Sequence, residues 1–303
     1  MIRKPDKALA WQSKAILLLV VPWTAASVVL QAHWWATQVP VVAWTTLGIS
    51  GIFGLVVWWL KAGTPAAAAT GAAITASLMF STAHYPYKYS WLHGGLMPLL
   101  AVFLLTFVAT KIGKAKKERL GTGESKRGRN AAQVAANLGA AALVATIAIS
   151  FGWERGWPAI FISPLAIAAL AEAAADTISS EIGQIFGGQP RMFITFRQVE
   201  VGTDGGVTLA GTAAGLLAAA VVAAVGTLAI ADWSIGGGVW DWFVFTVSVS
   251  GGVFGLFVDS LLGATLERKG LLNNDGVNFL STVAAVAVSA ALGILLFGIF
   301  LRV

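Results

Sequence analysis

The chain of 303 residues is 57% hydrophobic and 11% charged, with a mean hydropathy of +0.78. Because about a quarter of the residues in soluble domains are charged, this composition excludes an ordinary soluble protein and indicates a polytopic helical membrane protein. The net charge of +6 is explained by membrane topology, so no nucleic-acid partner is expected, and the absence of cysteine excludes disulfides and thiolate metal sites.

Apolar runs long enough to cross a bilayer recur along the chain. With the N-terminus in the cytoplasm, all but three of the 20 Lys and Arg residues fall on the cytoplasmic side, as the positive-inside rule requires. The exceptions are Lys88, Arg155 and Arg302. The sequence thus predicts an all-α fold with about nine transmembrane helices, near residues 15–36, 40–60, 65–82, 93–110, 131–151, 158–176, 207–231, 241–265 and 277–301.

This topology places every polar cluster on the cytoplasmic face of the inner cell membrane. A charged, cytosolic ligand is therefore expected rather than an external one, alongside the surrounding membrane lipids.

A polar segment follows the sixth predicted span. Glu172 and Asp176 are four residues apart and share one helix face, with Ser179 and Ser180 on or beside it, whereas Glu181 lies further round. Carboxylates and hydroxyls that converge at a helix end suit Mg²⁺, which prefers one or two carboxylates plus phosphate oxygens. Alternatively, these residues only mark the point where the span leaves the membrane.

The segment before the seventh predicted span is rich in glycine. Glycine permits positive φ and close approach of the backbone to a ligand, and successive N–H groups before a helix N-terminus form an anion nest. We therefore expect this loop to cradle phosphate groups, although an ordinary Asp-Gly-Gly turn has the same sequence. The loop comprises Gly202, Thr203, Asp204, Gly205 and Gly206.

Asp259 lies inside the eighth predicted span, on one stripe with Gly263 and Glu267. An acid at this depth is costly unless it is paired or bound to a metal ion. Asp259 is therefore a second candidate metal ligand. The alternative is a structural hydrogen bond to a hydroxyl group of a neighbouring helix.

Arg129, Gln133 and Asn137 recur every four residues at the start of the fifth predicted span, with Asn130 adjacent to the first of them. One face of this helix is therefore lined by a guanidinium group and carboxamides. A guanidinium group binds phosphate in a bidentate manner, and carboxamides suit either phosphate or the edge of a base.

Two other polar groups each allow two interpretations. Asn274 and Asn278 precede the last span and form either a ligand site or a loop cap. Arg191 and Arg197 lie between the acidic and glycine-rich segments. They either clamp a second phosphate or belong to an amphipathic segment in the headgroup region.

Taken together, five motifs resemble the integral membrane family that contains the phytyl-phosphate kinases of plants and cyanobacteria. They occur in the family's order from about Gly63 to the C-terminus, whereas the first sixty residues match no motif. The chain is therefore expected to consist of an N-terminal two-helix extension, residues 1–62, and a membrane-embedded kinase-like domain, residues 63–303. The motifs are residues 128–137, 175–183, 201–208, 259–265 and 274–278.

The resemblance implies transfer of a phosphoryl group from a nucleoside triphosphate, often CTP, to a prenyl monophosphate such as phytyl or geranylgeranyl phosphate. The product would be the prenyl diphosphate. Because phosphoryl transfer depends mainly on positioning and charge neutralisation, metal ligands and cations are the groups that matter.

On this basis Asp176, Asp259 and Arg129 are the expected catalytic residues, and Mg²⁺ is expected on Asp176, Glu181 and Asp259. The family commonly has Gln where this chain has Glu267, so no role is assigned to Glu267. The co-substrate nucleotide and the phosphates are expected to contact Gly202, Thr203, Asp204, Gly205, Gly206, Asn130, Gln133, Asn137, Arg191, Arg197, Asn274 and Asn278.

Two other functions remain open at this stage. Another CTP-dependent lipid kinase or a cytidylyltransferase would also combine acids, glycines and bases at the cytoplasmic face, and pyrophosphate release would identify the cytidylyltransferase. A membrane transporter is the alternative from a different class. A transporter should place its polar groups near the midplane, in broken helices of repeated halves, whereas here they crowd one face.

Overall fold

A computed structural model describes residues 8–83, 94–122, 128–150, 158–230 and 238–300. Within these ranges the chain is helical apart from loops and one small antiparallel sheet, in which Arg191 pairs with Val207 and Met192 with Gly206. The elements are α1 (Ala10–Gln38), α2 (Pro40–Trp59), α3 (Pro65–Ser81), α4 (Leu96–Lys111), α5 (Lys114–Leu120), α6 (Ala131–Ser150), α7 (Pro158–Phe186), β1 (Arg191–Met192), β2 (Gly206–Val207), α8 (Leu209–Ile230), α9 (Val239–Leu262), a π-helical turn (Gly263–Glu267) and α10 (Asn274–Phe300).

Among the described residues, five helices are long and apolar enough to cross a bilayer: α1, α2, α8, α9 together with the π turn, and α10. A sixth span results if α4 and α5, which meet at 67°, form one broken span, and α3 and α6 are apolar but shorter. The all-α membrane class is therefore confirmed, whereas nine spans and a cytoplasmic N-terminus stay predictions. Lys88, Arg155 and Arg302, the exceptions to the predicted topology, lie outside the described residues.

The helix that carries the acidic segment is longer than predicted. Instead of ending near residue 176, α7 continues to Phe186. Glu172, Asp176 and Glu181 therefore lie within a continuous helix rather than at its end. The direction in which each acid points is set by the helical rotation between them, about 100° per residue.

α7 occupies the centre of the fold and packs against α4, α6, α8, α9 and α10. Its buried surface consists largely of alanine, and small side chains let helix backbones approach closely. A Cβ atom added to Gly252 of α9 would lie 2.7 Å from the Cβ of Ala171, and one added to Gly255 would lie 2.5 Å from the Cγ of Glu172. Glycine at these two positions therefore permits the close packing of α9 on α7.

The first two helices pack directly on the remainder of the protein. α1 contacts α2, α3, α6 and α10, and α2 packs along α3. At its N-terminal end, α1 holds the loop before α10, since Gln12 accepts a hydrogen bond from the N–H of Asn273 at 2.9 Å and Ser13 donates to Asp275 at 2.6 Å. The division into an extension, residues 1–62, and a domain, residues 63–303, stays a prediction.

Candidate functional site

The site is centred on two carboxylates from different helices. Asp176 of α7 and Asp259 of α9 are within hydrogen-bonding distance of each other, and both side chains are half-buried. Glu172 lies one turn before Asp176, is only 1% exposed, and has an Oε1 atom with no hydrogen-bond partner. Two carboxylates in direct contact repel each other when both are ionised, so this pair favours either a shared proton or a cation between them.

The close approach of α9 to α7 creates this pair. Gly255, which allows α9 to lie against Glu172, is one turn before Asp259 on the same helix. The sequence analysis assigned no importance to the glycines within the spans. Their effect is indirect, because they bring the backbone that carries one acid close to the helix that carries the other.

Helix α10 supports the pair with a stripe of polar side chains. Ser281 donates a long hydrogen bond of 3.4 Å to Asp259, and Asn278, one turn earlier, donates one of 3.4 Å to Asn137 of α6. Asn137 is buried and donates in turn to the backbone carbonyl of Gln133 at 2.8 Å. Asn137 and Asn278, both predicted from the sequence, are thus brought together next to the acids.

Arg129 is the cation beside the acidic pair. Its guanidinium group donates to the hydroxyl of Thr177 at 3.3 Å and interacts electrostatically with the carboxylate of Asp176. Its backbone is fixed by two hydrogen bonds to the loop before α3, one from its own N–H to the carbonyl of Ala62 at 3.0 Å and one from Thr64 N–H to its carbonyl at 2.9 Å.

Gly128 makes this arrangement possible. It has a φ of +72°, and a Cβ atom there would lie 2.6 Å from the carbonyl group of Ala62. The proximity of Arg129 to Asp176 therefore depends on a backbone junction that sequence spacing does not reveal.

Glu181 belongs to a different group. Its carboxylate forms an ion pair with Lys117 of α5, and it also accepts a hydrogen bond of 3.4 Å from Thr110 of α4. Lys117 Nζ further donates to the carbonyls of Thr110 and Ala109 at 2.8 and 3.2 Å, at the C-terminal end of α4. Because Glu181 is five residues beyond Asp176, it points about 140° away around α7.

Of the predicted metal ligands, Asp176 and Asp259 are brought together, whereas Glu181 is paired with Lys117, and metal binding by the three acids stays a prediction. In the part of the chain that the structure describes, no three acidic or histidine side chains are arranged to hold a metal ion by themselves. Asp176 and Asp259 nevertheless fit Mg²⁺, because that ion is usually bound through one or two carboxylates, with phosphate oxygens and water completing its octahedron.

The glycine-rich loop lies one helical turn from Asp259. A Cβ atom on Gly205 would lie 2.2 Å from the backbone nitrogen of Ala264, so the loop packs directly on the π turn. Gly202 and Gly205 have φ values of +85° and +70°, and the N–H groups of Thr203 and Gly206 bond within the loop, to the carbonyls of Glu200 and Thr203. The structure thus brings the loop to the acidic pair, and phosphate binding by its amides stays a prediction.

Asn130 and Gln133 cap a helix. The N–H of Asn130 donates to the side-chain carbonyl of Gln133 at 2.8 Å, and the N–H of Gln133 donates to that of Asn130 at 3.0 Å. This reciprocal pair is a capping box at the start of α6. The oxygen of each side chain is thus occupied by a backbone N–H, and the predicted ligand role of the two residues stays a prediction.

Other predicted residues lie away from the pair. Asn274 is exposed at the first position of α10, where Asn273 is the capping residue, accepting from Gly276 N–H at 2.8 Å. Arg191 is exposed and donates to the carbonyl of Phe196 at 3.0 Å, closing a turn that also contains the exposed Arg197. Neither arginine is brought against the acids by a contact of this turn.

An apolar cleft opens beside Arg129. It has an empty volume of about 800 Å³, part of it open to the outside, and lies between α2, α3 and α4. Arg129, Lys111 and Asn137 line its polar end, whereas Phe53 and Phe103 belong to its apolar walls. Ala173 of α7, one turn before the Asp176–Thr177 pair, also lines it. The cleft therefore meets the acidic site at Arg129.

The sequence analysis missed Lys117, Thr177 and Ser281. Ser281 was detectable, since it continues the stripe of Asn278 at helical spacing in an otherwise apolar segment. Lys117 was not, because it is one of several basic residues between Lys111 and Arg129 that differ only in their burial.

The sequence matches the family described as "Integral membrane protein DUF92" over residues 48–286, beginning inside α2. A membrane protein of Methanocaldococcus jannaschii is 36% identical over 202 residues, 67% of this chain and 76% of that protein. Protein PGR of Arabidopsis thaliana is 30% identical over 258 residues, 73% of this chain and 88% of PGR. Chloroplastic protein VTE6 of the same plant is 32% identical over 133 residues, 44% of this chain and 40% of VTE6. There is no significant match among solved structures.

Proposed function

The chain belongs to the integral membrane protein family DUF92, as its five motifs indicate, and on this premise we propose that it is a prenyl-phosphate kinase. It transfers the γ-phosphoryl group of a nucleoside triphosphate, with CTP as the expected donor, to a prenyl monophosphate. The products are a nucleoside diphosphate and the prenyl diphosphate. The reaction takes place at the cytoplasmic face of the membrane, where a soluble nucleotide meets a lipid phosphate.

The observation that carries the proposal is the direct contact of Asp176 with Asp259, with Arg129 on one side. A nucleoside triphosphate brings several negative charges, so a site without cations would repel it. Asp176 and Asp259 would hold Mg²⁺, which would supply charge neutralisation for the nucleotide phosphates. Arg129 provides a fixed positive charge whose planar donor fork matches phosphate oxygens.

The chemical step needs little beyond positioning. An oxygen of the acceptor phosphate attacks the γ-phosphorus, the bond from that phosphorus to the β–γ bridging oxygen breaks, and the nucleoside diphosphate leaves with the bonding electrons. No general base is required, because a phosphate monoester has its second pKa near 6, by analogy with phosphoamino acids, and is largely ionised at neutral pH. Arg129 stabilises the charge that accumulates on the transferred group and aligns the acceptor for in-line attack.

The glycine-rich loop is the proposed cradle for the nucleotide phosphates. It packs on the π turn that follows Asp259, and its position one turn from that acid supports this assignment. Asn137 and Asn278 are hydrogen-bonded to each other, one turn from Ser281, which contacts Asp259, and they are proposed to orient phosphate oxygens. Asn130, Gln133, Asn274, Arg191 and Arg197 are left out of the proposed site, because they cap a helix, close a turn or face outward.

The test is a product assay on protein purified in detergent. CTP and Mg²⁺ are offered with farnesyl, geranylgeranyl and phytyl monophosphates, and CDP, pyrophosphate and the lipid products are quantified. CDP together with the prenyl diphosphate is the expected result. Pyrophosphate release would identify a cytidylyltransferase, and no nucleotide turnover in folded protein would contradict the proposal and favour a transporter.

A matched pair of variants assigns any turnover to this site. Asp176→Asn removes one charge of the central pair. Asp241→Asn makes the same change at the start of α9, where the carboxylate accepts from Gly238 N–H at 3.4 Å. Activity should be lost in the first variant and kept in the second.

A further inference from the structure

We infer that the cleft between α2, α3 and α4 binds the single hydrocarbon chain of the lipid acceptor, with its phosphate at Arg129 and its chain packed against Phe53 and Phe103. This inference rests on the proposed function for the identity of the lipid. The binding site itself follows from the shape and lining of the cleft.

The polarity of the cleft matches an amphiphile with an anionic head. Arg129 and Lys111 bring two cations to one end, where Lys111 Nζ lies 5.0 Å from the centre of the Phe107 ring. Beyond this end the walls are apolar, with Leu99 and Val102 on α4. The head of an anionic lipid would therefore contact the two cations, and its hydrocarbon chain would contact the apolar walls. A fully polar ligand would make no favourable contact with these walls.

The dimensions also fit one chain. The lining residues of α4 run from Lys111 back to Leu99, about 18 Å of helix at 1.5 Å per residue. A single prenyl chain can therefore lie along this length of the cleft.

The orientation of the bound lipid follows from Arg129, which lies both beside the acidic pair and in the lining of the cleft. Its guanidinium group contacts Thr177 beside Asp176, and the same residue lines the cleft. A phosphate held there would face the acidic pair, and its chain would have to leave in the opposite direction, between α2 and α4. The reacting phosphate and the chain are therefore separated by one arginine.

Small residues of α3 keep the cleft open. Gly71 is buried and lines the cleft, yet a Cβ atom added to it would meet nothing within 4 Å beyond its own helix. A Cβ atom at Gly71 therefore has room, and we expect a larger side chain there to extend into the cleft. This makes Gly71 the position at which the cleft can be filled while the acidic site is left intact.

Three aromatic rings narrow the cleft. Phe103 of α4 meets Phe53 of α2 edge to face, with ring centres 5.3 Å apart, and stacks on Phe107 with ring centres 5.7 Å apart. Phe103 thus bridges the two walls. Removing its ring would enlarge the cleft, so Phe103 is the residue that sets the accepted chain length.

The experiment compares Gly71→Leu with Gly51→Leu. Gly51 is exposed on α2 outside the cleft, and a Cβ atom there also meets nothing within 4 Å, so the same substitution is matched in size and in local space. Binding of geranylgeranyl monophosphate without nucleotide is measured by calorimetry in detergent, and phosphorylation of dimethylallyl monophosphate is measured with CTP.

Gly71→Leu should weaken geranylgeranyl monophosphate binding about tenfold or more and should lower turnover of the short acceptor by a smaller factor, because the long chain needs more of the filled space. Gly51→Leu should match the wild type in both measurements. Phe103→Ala should shift the preference among prenyl monophosphates toward longer chains.

The outcomes separate this inference from the proposed function. Lipid binding that is lost in Gly71→Leu, in protein without CTP turnover, supports the cleft and contradicts the kinase. CTP turnover of long-chain acceptors that is unaffected by Gly71→Leu supports the kinase and overturns the cleft. If dioleoyl phosphatidic acid binds as tightly as geranylgeranyl monophosphate, and if Gly71→Leu weakens that binding, the assignment to a single-chain acceptor is overturned.

Discussion

Two acidic regions on α7 differ in the charge that faces them. Glu181 is paired with Lys117, whose side chain is 3% exposed, and the pair ties α5 to the end of α4. Asp176 faces another acid, Asp259, with Glu172 one turn before Asp176 and Arg129 interacting with Asp176. In the first region the acid and the base neutralise each other, so we interpret it as structural. The second region brings acids together, which is the arrangement expected of a cation-dependent site.

The largest predicted effect comes from substitutions at Asp176 and Asp259. Asp176→Asn or Asp259→Asn should lower turnover about a thousandfold or more, because losing a metal ligand removes several kcal/mol of transition-state stabilisation. The thermal melting temperature in detergent should stay the same or rise, since one of two repelling charges is gone. Turnover within tenfold of the wild type in both variants would contradict the metal assignment, and Asp241→Asn is the control.

At the Glu181–Lys117 ion pair, substitution should reduce stability and leave activity largely unchanged. Lys117→Met leaves the partly buried Glu181 without its counter-charge and should lower the free energy of unfolding by about 3 kcal/mol, measured by denaturant titration in detergent. Activity per folded molecule should remain within about threefold. The double variant Lys117→Met/Glu181→Gln should recover much of the lost stability. A loss of activity at unchanged stability would instead give Glu181 a role in the site.

Arg129 tests whether geometry matters in addition to charge. Arg129→Lys keeps the charge but loses the planar fork, so kcat/KM for the acceptor phosphate should fall about tenfold to a hundredfold. Arg119→Lys, on the exposed α5, is the matched control and should behave like the wild type. If Arg129→Lys is as active as the wild type, the hypothesis that Arg129 binds phosphate in a bidentate manner is contradicted.

The smallest predicted effect separates capping from nucleotide binding. Asn130→Ala removes one half of the capping box and should cost about 1 kcal/mol of stability, without changing the KM for CTP. Asn130→Asp, which also caps a helix, should restore most of that stability. If the KM for CTP rises in both variants, Asn130 contacts the nucleotide after all.

The fold class was predictable because hydropathy is a local property. Runs of apolar residues identified the segments that form α1 to α4 and α6 to α10, and only the end of α7 was misplaced. That error arose because polar residues after Asp176 were taken as the end of a membrane span. They continue the helix, in which Glu181 pairs with Lys117 of α5 and Gly183 lies close to Thr208.

The candidate site was predictable in part for a related reason. Asp176 and Asp259 were identified because an acid in an apolar helix is costly unless it has a purpose, and that cost can be recognised from a single segment. The capping role of Asn130 and Gln133 was not recognised, because a capping box and a ligand site use the same residue types at the same spacing. Only the hydrogen bonds between them distinguish the two.

The sequence alone determined that this chain is a helical membrane protein with acids, glycines and a lone arginine gathered in five motifs. These features can be recognised from the sequence because the polarity of a segment depends only on residues that are neighbours along the chain. The tertiary structure alone decided that Glu181 pairs with Lys117, that Asp176 meets Asp259, and that a cleft opens between α2 and α4. These relationships depend on how each helix is rotated and how closely glycine and alanine let the helices approach, and neither quantity can be obtained from one segment.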